Sequence, residues 1–223
     1  MKVEVNVKPY VGDAKGLKGH VGVVFDGTYA FENIQIRSSK DGNLFVAYPN
    51  KAKPVTEDGV AVMENGKPQM EYTPILELTS YKARTELSGA ILDAYKNAEQ
   101  GKWTKHDYDL SGKFEITRID VKPYVNEESH TTGVGSINFG DYKLNGVFVK
   151  DLGSGEFVDL PSYKNREEYR DVFHPITKEA QESLQNIVVN SLEGRRQEQQ
   201  RAYEETQNNS QDIDTPNYGN GRS

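Results

Sequence analysis

The chain repeats itself. Val7-Lys8-Pro9-Tyr10 returns as Val121-Lys122-Pro123-Tyr124, an offset of 114, and the same offset carries Val21-Gly22-Val23-Val24-Phe25 onto Gly135-Ser136-Ile137-Asn138-Phe139. Each of the longer runs ends in a turn pair, Asp26-Gly27 and Gly140-Asp141, of the kind that supplies positive φ in a tight β-hairpin. Past the turn, Phe31, Ile34 and Ile36 fall on Leu144, Val147 and Val149 at offset 113; Phe45-Val46 and Pro49 then fall on Phe157-Val158 and Pro161 at offset 112. Tyr72-Thr73-Pro74-Ile75 is placed on Phe173-His174-Pro175-Ile176 at offset 101, which makes the preceding loop 11 residues longer in the first copy. Leu87, Ile91 and Tyr95 meet Leu184, Val188 and Leu192 at offset 97. Offsets that only fall, always across turns or loops, are the trace of a diverged duplication.

Each copy reads as a first strand, a hairpin, a fourth strand, a variable loop and a closing helix, an α+β unit with an antiparallel sheet. Ala180, Leu184, Ile187, Val188 and Leu192 line one face of the second helix, which Thr177 can cap and Gly194 should stop; Thr79 or Ser80 starts the first. The division expected is unit 1 at 1–97, a linker at 98–113, unit 2 at 114–194, and a polar helical extension and tail at 195–223. From Asn208 onward the tail, rich in Asn, Gly, Ser and Asp, should be disordered, since it has too little apolar surface to offset its ordering entropy. The lone tryptophan, Trp103, should cover apolar surface on one unit.

A unit this small leaves sheet edges open, and unpaired edge N–H and C=O groups seek a partner. A linker of about 17 residues holds the second copy at an effective concentration in roughly the millimolar range, so the two units should pair within one chain as a pseudo-dimer, with a further homo-oligomer open to it where one edge stays unpaired. Val3–Val7 and Val21–Phe25 are expected to meet Ile116–Val121 and Val134–Phe139 about an approximate two-fold axis.

The residue inventory excludes several chemistries. With no cysteine there is no disulfide framework, thiolate zinc site or cysteine nucleophile. The four histidines, at 20, 106, 130 and 174, lack metal-site spacing, and His174 before Pro175 fits a structural turn. Adjacent acids such as Glu127-Glu128 and Glu167-Glu168 point different ways in regular structure and make no general acid/base couple. No phosphate-binding glycine loop or nucleophile turn occurs. No enzymatic activity, cofactor or metal is expected. A mean hydropathy of −0.76 and the lack of a long apolar run point to a cytoplasmic protein that does not enter membranes.

The order of elements is similar to the SpoVG family, in particular Asn33-Ile34-Gln35-Ile36 through Leu44-Phe45-Val46-Ala47-Tyr48-Pro49-Asn50-Lys51, and Phe173-His174-Pro175-Ile176-Thr177. The resemblance covers both repeats, with the linker and tail outside it. It implies a bacterial nucleic-acid-binding regulator of septation, sporulation or gene expression, dimeric by sheet extension, with a basic cluster after the fourth strand and an arginine near the helix start. The matching positions are Lys51 and Lys53 in unit 1, Lys164 and Arg166 in unit 2, and Arg84 at the first helix start; Lys82 beside it is a further candidate cation. In unit 2 the helix arginine is replaced by Gln181.

Charge divides the copies further. Residues 1–96 hold 12 basic and 12 acidic side chains, whereas residues 114–194 hold 8 and 14, nearly all of the net −7. Phosphate binding needs clustered cations, so nucleic acid (DNA or RNA) is assigned mainly to unit 1, with Lys8 and Lys122 as further candidates and Tyr48 and Tyr72 as rings able to stack or to pack. The other reading is a protein-interaction or assembly module that keeps the fold without the basic face.

Overall fold

Alternation of valine with polar residues makes the first strand. In β1 (Lys2–Pro9) Val3, Val5 and Val7 are buried while the residues between them are not, the period of a half-buried sheet. It is followed by β2 (Leu17–Phe25), β3 (Tyr29–Ser38) and β4 (Leu44–Ala47), then by a long antiparallel arm. The arm runs out as β5 (Asn50–Pro54), carries the small ribbons β6 (Thr56–Glu57), β7 (Val60–Ala61), β8 (Met63–Glu64) and β9 (Lys67–Pro68), and returns as β10 (Met70–Pro74). After β11 (Leu76–Leu78) comes helix α1 (Tyr81–Asn97). The second half gives β12 (Thr104–Asp109), β13 (Ile116–Asn126), β14 (Thr131–Phe139), β15 (Tyr142–Asp151), β16 (Glu156–Asp159), a shorter arm of β17 (Ser162–Asn165) and β18 (Glu168–Asp171), β19 (Phe173–Pro175) and helix α2 (Lys178–Gln211). This computed structural model describes residues 1–12, 14, 16–165 and 167–211, without the side chains of 165 and 208–211.

Among the described residues, the first large sheet has the order β12-β1-β2-β3-β19 with β4 also on β3, and the second β11-β15-β14-β13 with β16 also on β15. Each sheet therefore contains a short strand from the other half. Phe173 pairs with Phe31, and Leu76 pairs with Leu144. The flanking bonds repeat as well: Glu32 N–H donates to Val172 O and Asn145 N–H to Ile75 O, while Ile176 N–H donates to Thr28 O and Thr79 N–H to Asp141 O.

This exchange corrects two expectations. The units do pair as a pseudo-dimer, but β1 and β2 do not hydrogen-bond to β13 and β14; the strand before each helix crosses over instead. Since Phe31 and Leu144 are equivalent, so are their partners Phe173 and Leu76, at the same offset of 97 as the helices. The residues matching Phe173–Ile176 are thus Leu76–Thr79, not Tyr72–Ile75, and the first arm is 15 residues longer, not 11. Tyr72 to Ile75 misled because Thr-Pro-Ile resembles His-Pro-Ile, although Tyr72 to Pro74 close the arm by pairing with Ala52 to Asn50.

The core lies where the halves meet. Phe114 is stacked between the equivalent rings of Phe25 and Phe139, at centroid distances of 4.2 and 4.6 Å. Tyr29 and Tyr142, also equivalent, reach across to Phe139 and Phe25 respectively. Equivalent bulges interrupt β3 and β15, at Asn33 (φ 60°) and Gly146 (φ 79°). Gly133-Val134-Gly135-Ser136 lies in β14, and a Cβ at Gly135 would fall 1.9 Å from Asp120 O, so only glycine fits.

Ser80 caps α1, accepting from Ala83 N–H at 3.1 Å, and Thr177 caps α2 in the same way from Ala180. Gly194 does not stop α2. Beyond it Arg196 donates to Glu156 (2.6 and 3.1 Å) and to Thr132 O, docking the next turn on β14 and β16 and carrying the helix on to Gln211. The expected disorder from Asn208 onward thus meets helix through Gln211; residues 212–223 lie outside the described residues. The linker is likewise not free, because β12 adds to the outer edge of β1 from Lys2 to Val7.

Candidate nucleic-acid interface

Residues two apart on a strand share a face, so Lys51 and Lys53 on β5 project together from an arm exposed along that strand. Lys53 Nζ lies 3.0 Å from Glu71 on β10, with both side chains more than half exposed. Lys51 reaches toward the second sheet, its Nζ 5.7 Å from the centre of the Phe148 ring on β15. Tyr72, opposite Ala52, is 65% exposed and free to stack. Tyr48 packs instead: its hydroxyl meets Ser88 Oγ on α1 at 2.9 Å, and burial pushes its pKa up to about 12.

Tyr48 also links the arm to the helix start. Asn50 Nδ2 donates to Tyr48 O at the foot of the arm, while the Tyr48 ring lies on α1 within electrostatic reach of Arg84. The first turn of α1 contains no acid, and Lys82 and Arg84 stand exposed there at the positive end of the helix dipole, a combination that attracts anions. Arg84 Nη2 donates a long bond, 3.4 Å, to Leu78 O. Lys82 is 4.0 Å from Glu86, whose carboxylate is already held by Ser111 N–H and Oγ–H at 3.0 and 2.6 Å. Those Ser111 bonds, the hydroxyl's first, hold the Glu86 pKa below the usual carboxylate value.

In the second half Lys164 is exposed on β17 opposite Tyr169. Arg166 lies outside the described residues. The first turn of α2 contains Glu179 where α1 has none, so the acid-free start is confined to α1. Lys8 stands opposite His20, and Lys122 opposite Val134. His174 faces Glu32 across the exchanged strand; burial raises the Glu32 pKa and the imidazole works against it. Trp103 does border unit 1 but remains 57% exposed. Tyr10, also bordering that face, was missed as a candidate because its motif reads only as a strand end.

The SpoVG family model matches residues 1–97 and again residues 114–193. The chain belongs to the SpoVG family. Proteins named septation protein SpoVG are similar to it over about one unit: that of Thermoanaerobacter sp. (strain X514) is 31% identical over 93 residues, 41% of this chain and 99% of the relative. Those of Agathobacter rectalis and Heliobacterium modesticaldum are each 34% identical, over 34% and 35% of this chain and 87% and 89% of the relatives. No solved structure gives a significant match. In this SpoVG chain the two matched stretches are the two halves that exchange β11 and β19. Among the described residues, no helix is long and apolar enough to cross a membrane.

Proposed function

We propose that this SpoVG-family chain is a non-enzymatic, cytoplasmic bacterial regulator that binds nucleic acid, DNA or RNA, mainly through unit 1, in septation, sporulation or gene regulation. The observation that carries the reading is the acid-free first turn of α1, bearing Lys82 and Arg84, joined through Tyr48 to an arm that projects Lys51 and Lys53 from one face and Tyr72 from the other. Lys53 gives up only an exposed ion pair to reach a phosphate, an exchange that costs about 0–1 kcal/mol. Lys164 and Arg166 are assigned a weaker share, because their half carries most of the negative charge.

A second reading, a protein-interaction or assembly module, is favoured by one observation: Lys53, Lys82 and Arg84 each already have a carboxylate or carbonyl partner in the chain. Anisotropy titration of a labelled oligonucleotide across salt concentrations separates the two. Phosphate binding lowers log K linearly with log salt, with a slope of roughly −0.7 per contact on single strands and −0.9 on duplex. No binding at low salt rejects the first reading in favour of the second.

A further inference from the structure

On the face of the first sheet turned away from α1, Lys8 and His20 are direct cross-strand neighbours. The shorter arm, β17–β18, comes over this face from the other half and leaves a groove of about 730 Å³. That size falls in the range of small-ligand clefts, roughly 300–1,000 Å³. Tyr10, His20, Trp103 and Tyr163 supply rings to its walls, and Lys8 and Arg170 supply cations. Tyr10 meets His20 edge to face, with centroids 6.2 Å apart, and stays 36% exposed, while Trp103 is 57% exposed. Aromatic faces left open between cations are what a strand of unpaired bases requires, because each base has a π-face and each nucleotide a phosphate.

The second copy serves as an internal comparison. Lys8 and Tyr10 have the equivalents Lys122 and Tyr124, but His20 is replaced by Val134 and Tyr163 by Lys51. Trp103, supplied by the stretch between the two family matches, has no equivalent, since α2 continues where that stretch would lie. The cluster is therefore particular to one face of the pseudo-dimer and needs the tandem arrangement that brings Tyr163 and Arg170 across.

We propose that this groove is a base-stacking site for single-stranded nucleic acid, with bases against Tyr10 and Trp103 and the phosphate backbone along Lys8 and Arg170. Glu32 lines the groove, and its carboxylate lies over Gly22, within 2.6 Å of where a Cβ would stand there. A carboxylate in that place opposes phosphate and turns the strand with its bases inward. The inference rests on the nucleic-acid reading above and adds where and how the bases are held.

The chain has a single tryptophan, so its emission reports on this groove. Full-length protein titrated with a labelled dodecathymidine is followed by oligonucleotide anisotropy and by Trp103 fluorescence together. Both signals should change over the same concentration range. Tyr10→Ala and Lys8→Glu should each weaken binding by roughly tenfold, in line with the stacking and phosphate losses seen in such sites. Trp103→Phe should keep most of the affinity, and Tyr124→Ala, the equivalent change on the other half, all of it. Thermal melts of each variant show that the fold is kept. Binding by anisotropy with unchanged Trp103 emission and unweakened Tyr10→Ala and Lys8→Glu variants overturns the groove and leaves the arm reading standing. A signal from neither probe overturns the groove, and when duplex DNA and single-stranded RNA of the same length are silent too it overturns the nucleic-acid reading with it; Trp103 quenching by a proline-rich peptide but not by the oligonucleotide overturns the groove as a nucleotide site.

Discussion

Phe173 of the second unit lies directly opposite Phe31 of the first, on a strand that has crossed from one sheet to the other, with 4.7 Å between ring centroids. Both rings are fully buried and both also touch aromatic groups near the junction, Tyr29 and Phe114 respectively. Folding of one unit therefore completes the core of the other.

Phe173→Ala should cost about 3–5 kcal/mol and Leu76→Ala about 2–5 kcal/mol, the range for truncating fully buried side chains of these sizes. Because the core is shared, each loss should appear as a shift of one cooperative urea transition. Two separate transitions, with only one of them moved, would show that the units are stable alone.

The Glu156–Arg196 pair gives a pH-dependent contribution. The Arg196 hydrogen bonds, with help from Thr132, hold the Glu156 carboxyl below its usual value against the opposing effect of burial. A folded-state pKa below the unfolded one means stability that is present above about pH 4.3 and lost as pH falls through the folded value. Glu156→Gln should thus cost about 1.5–3 kcal/mol near neutral pH, the range for a hydrogen bond to a charged group, and much less near pH 3. Urea unfolding of both proteins at the two pH values measures this; an equal gap at both would mean that the charge contributes nothing.

Charge reversal distinguishes the halves in binding. Lys51→Glu, Lys53→Glu and Arg84→Glu together should reduce oligonucleotide affinity by at least about 100-fold at low salt, because three phosphate contacts become repulsions. The same reversal at Lys164 and Arg166 should cost less, since their half already carries 14 acidic groups against 8 basic ones between residues 114 and 194. Equal losses by anisotropy would reject the assignment to unit 1.

The duplication and the α+β order could be read from the sequence because Val3, Val5 and Val7, and Leu87 and Ile91, keep the periods of a strand and a helix face. The strand exchange could not, because Leu76-Glu77-Leu78 and Phe173-His174-Pro175 carry only three residues each, too short for a period, and nothing local in them names a partner. Gly194 signalled a helix end, but the bond that overrides it comes from Glu156, 40 residues away in sequence. At the candidate site, the cations were legible by type and by their match to the positions that the family resemblance implies. Their in-chain partners were not: Lys53 finds Glu71 only through the register of β5 on β10. The groove beside Trp103 was hidden for the same reason, since its rings come from β2, the segments flanking β1 and β12, and the far arm β17–β18.

The exchange also predicts what half of the chain does when it is made alone. A fragment of residues 1–113 contains every residue of the first family match and the strand β12, but loses β19, which pairs with β3 from Tyr29 to Phe31. Its own β11 would have no β15, leaving Leu76 and Leu78, now buried, in water beside an exposed Phe25 that has lost Phe114. Burying such side chains is worth about 1.5–3 kcal/mol each, a large part of the stability of a small domain. A second copy of the fragment offers the remedy, because its β3 carries the edge that β11 needs, at the positions equivalent to Tyr142–Leu144, and the exchange is then reciprocal. The fragment should accordingly be folded only as a dimer, with a melting temperature that rises with protein concentration, whereas that of the full chain should be independent of it. Light scattering and melts over a hundredfold range of concentration check this. A fragment that is folded, monomeric and concentration-independent would mean that the exchanged strand does not hold the two halves together.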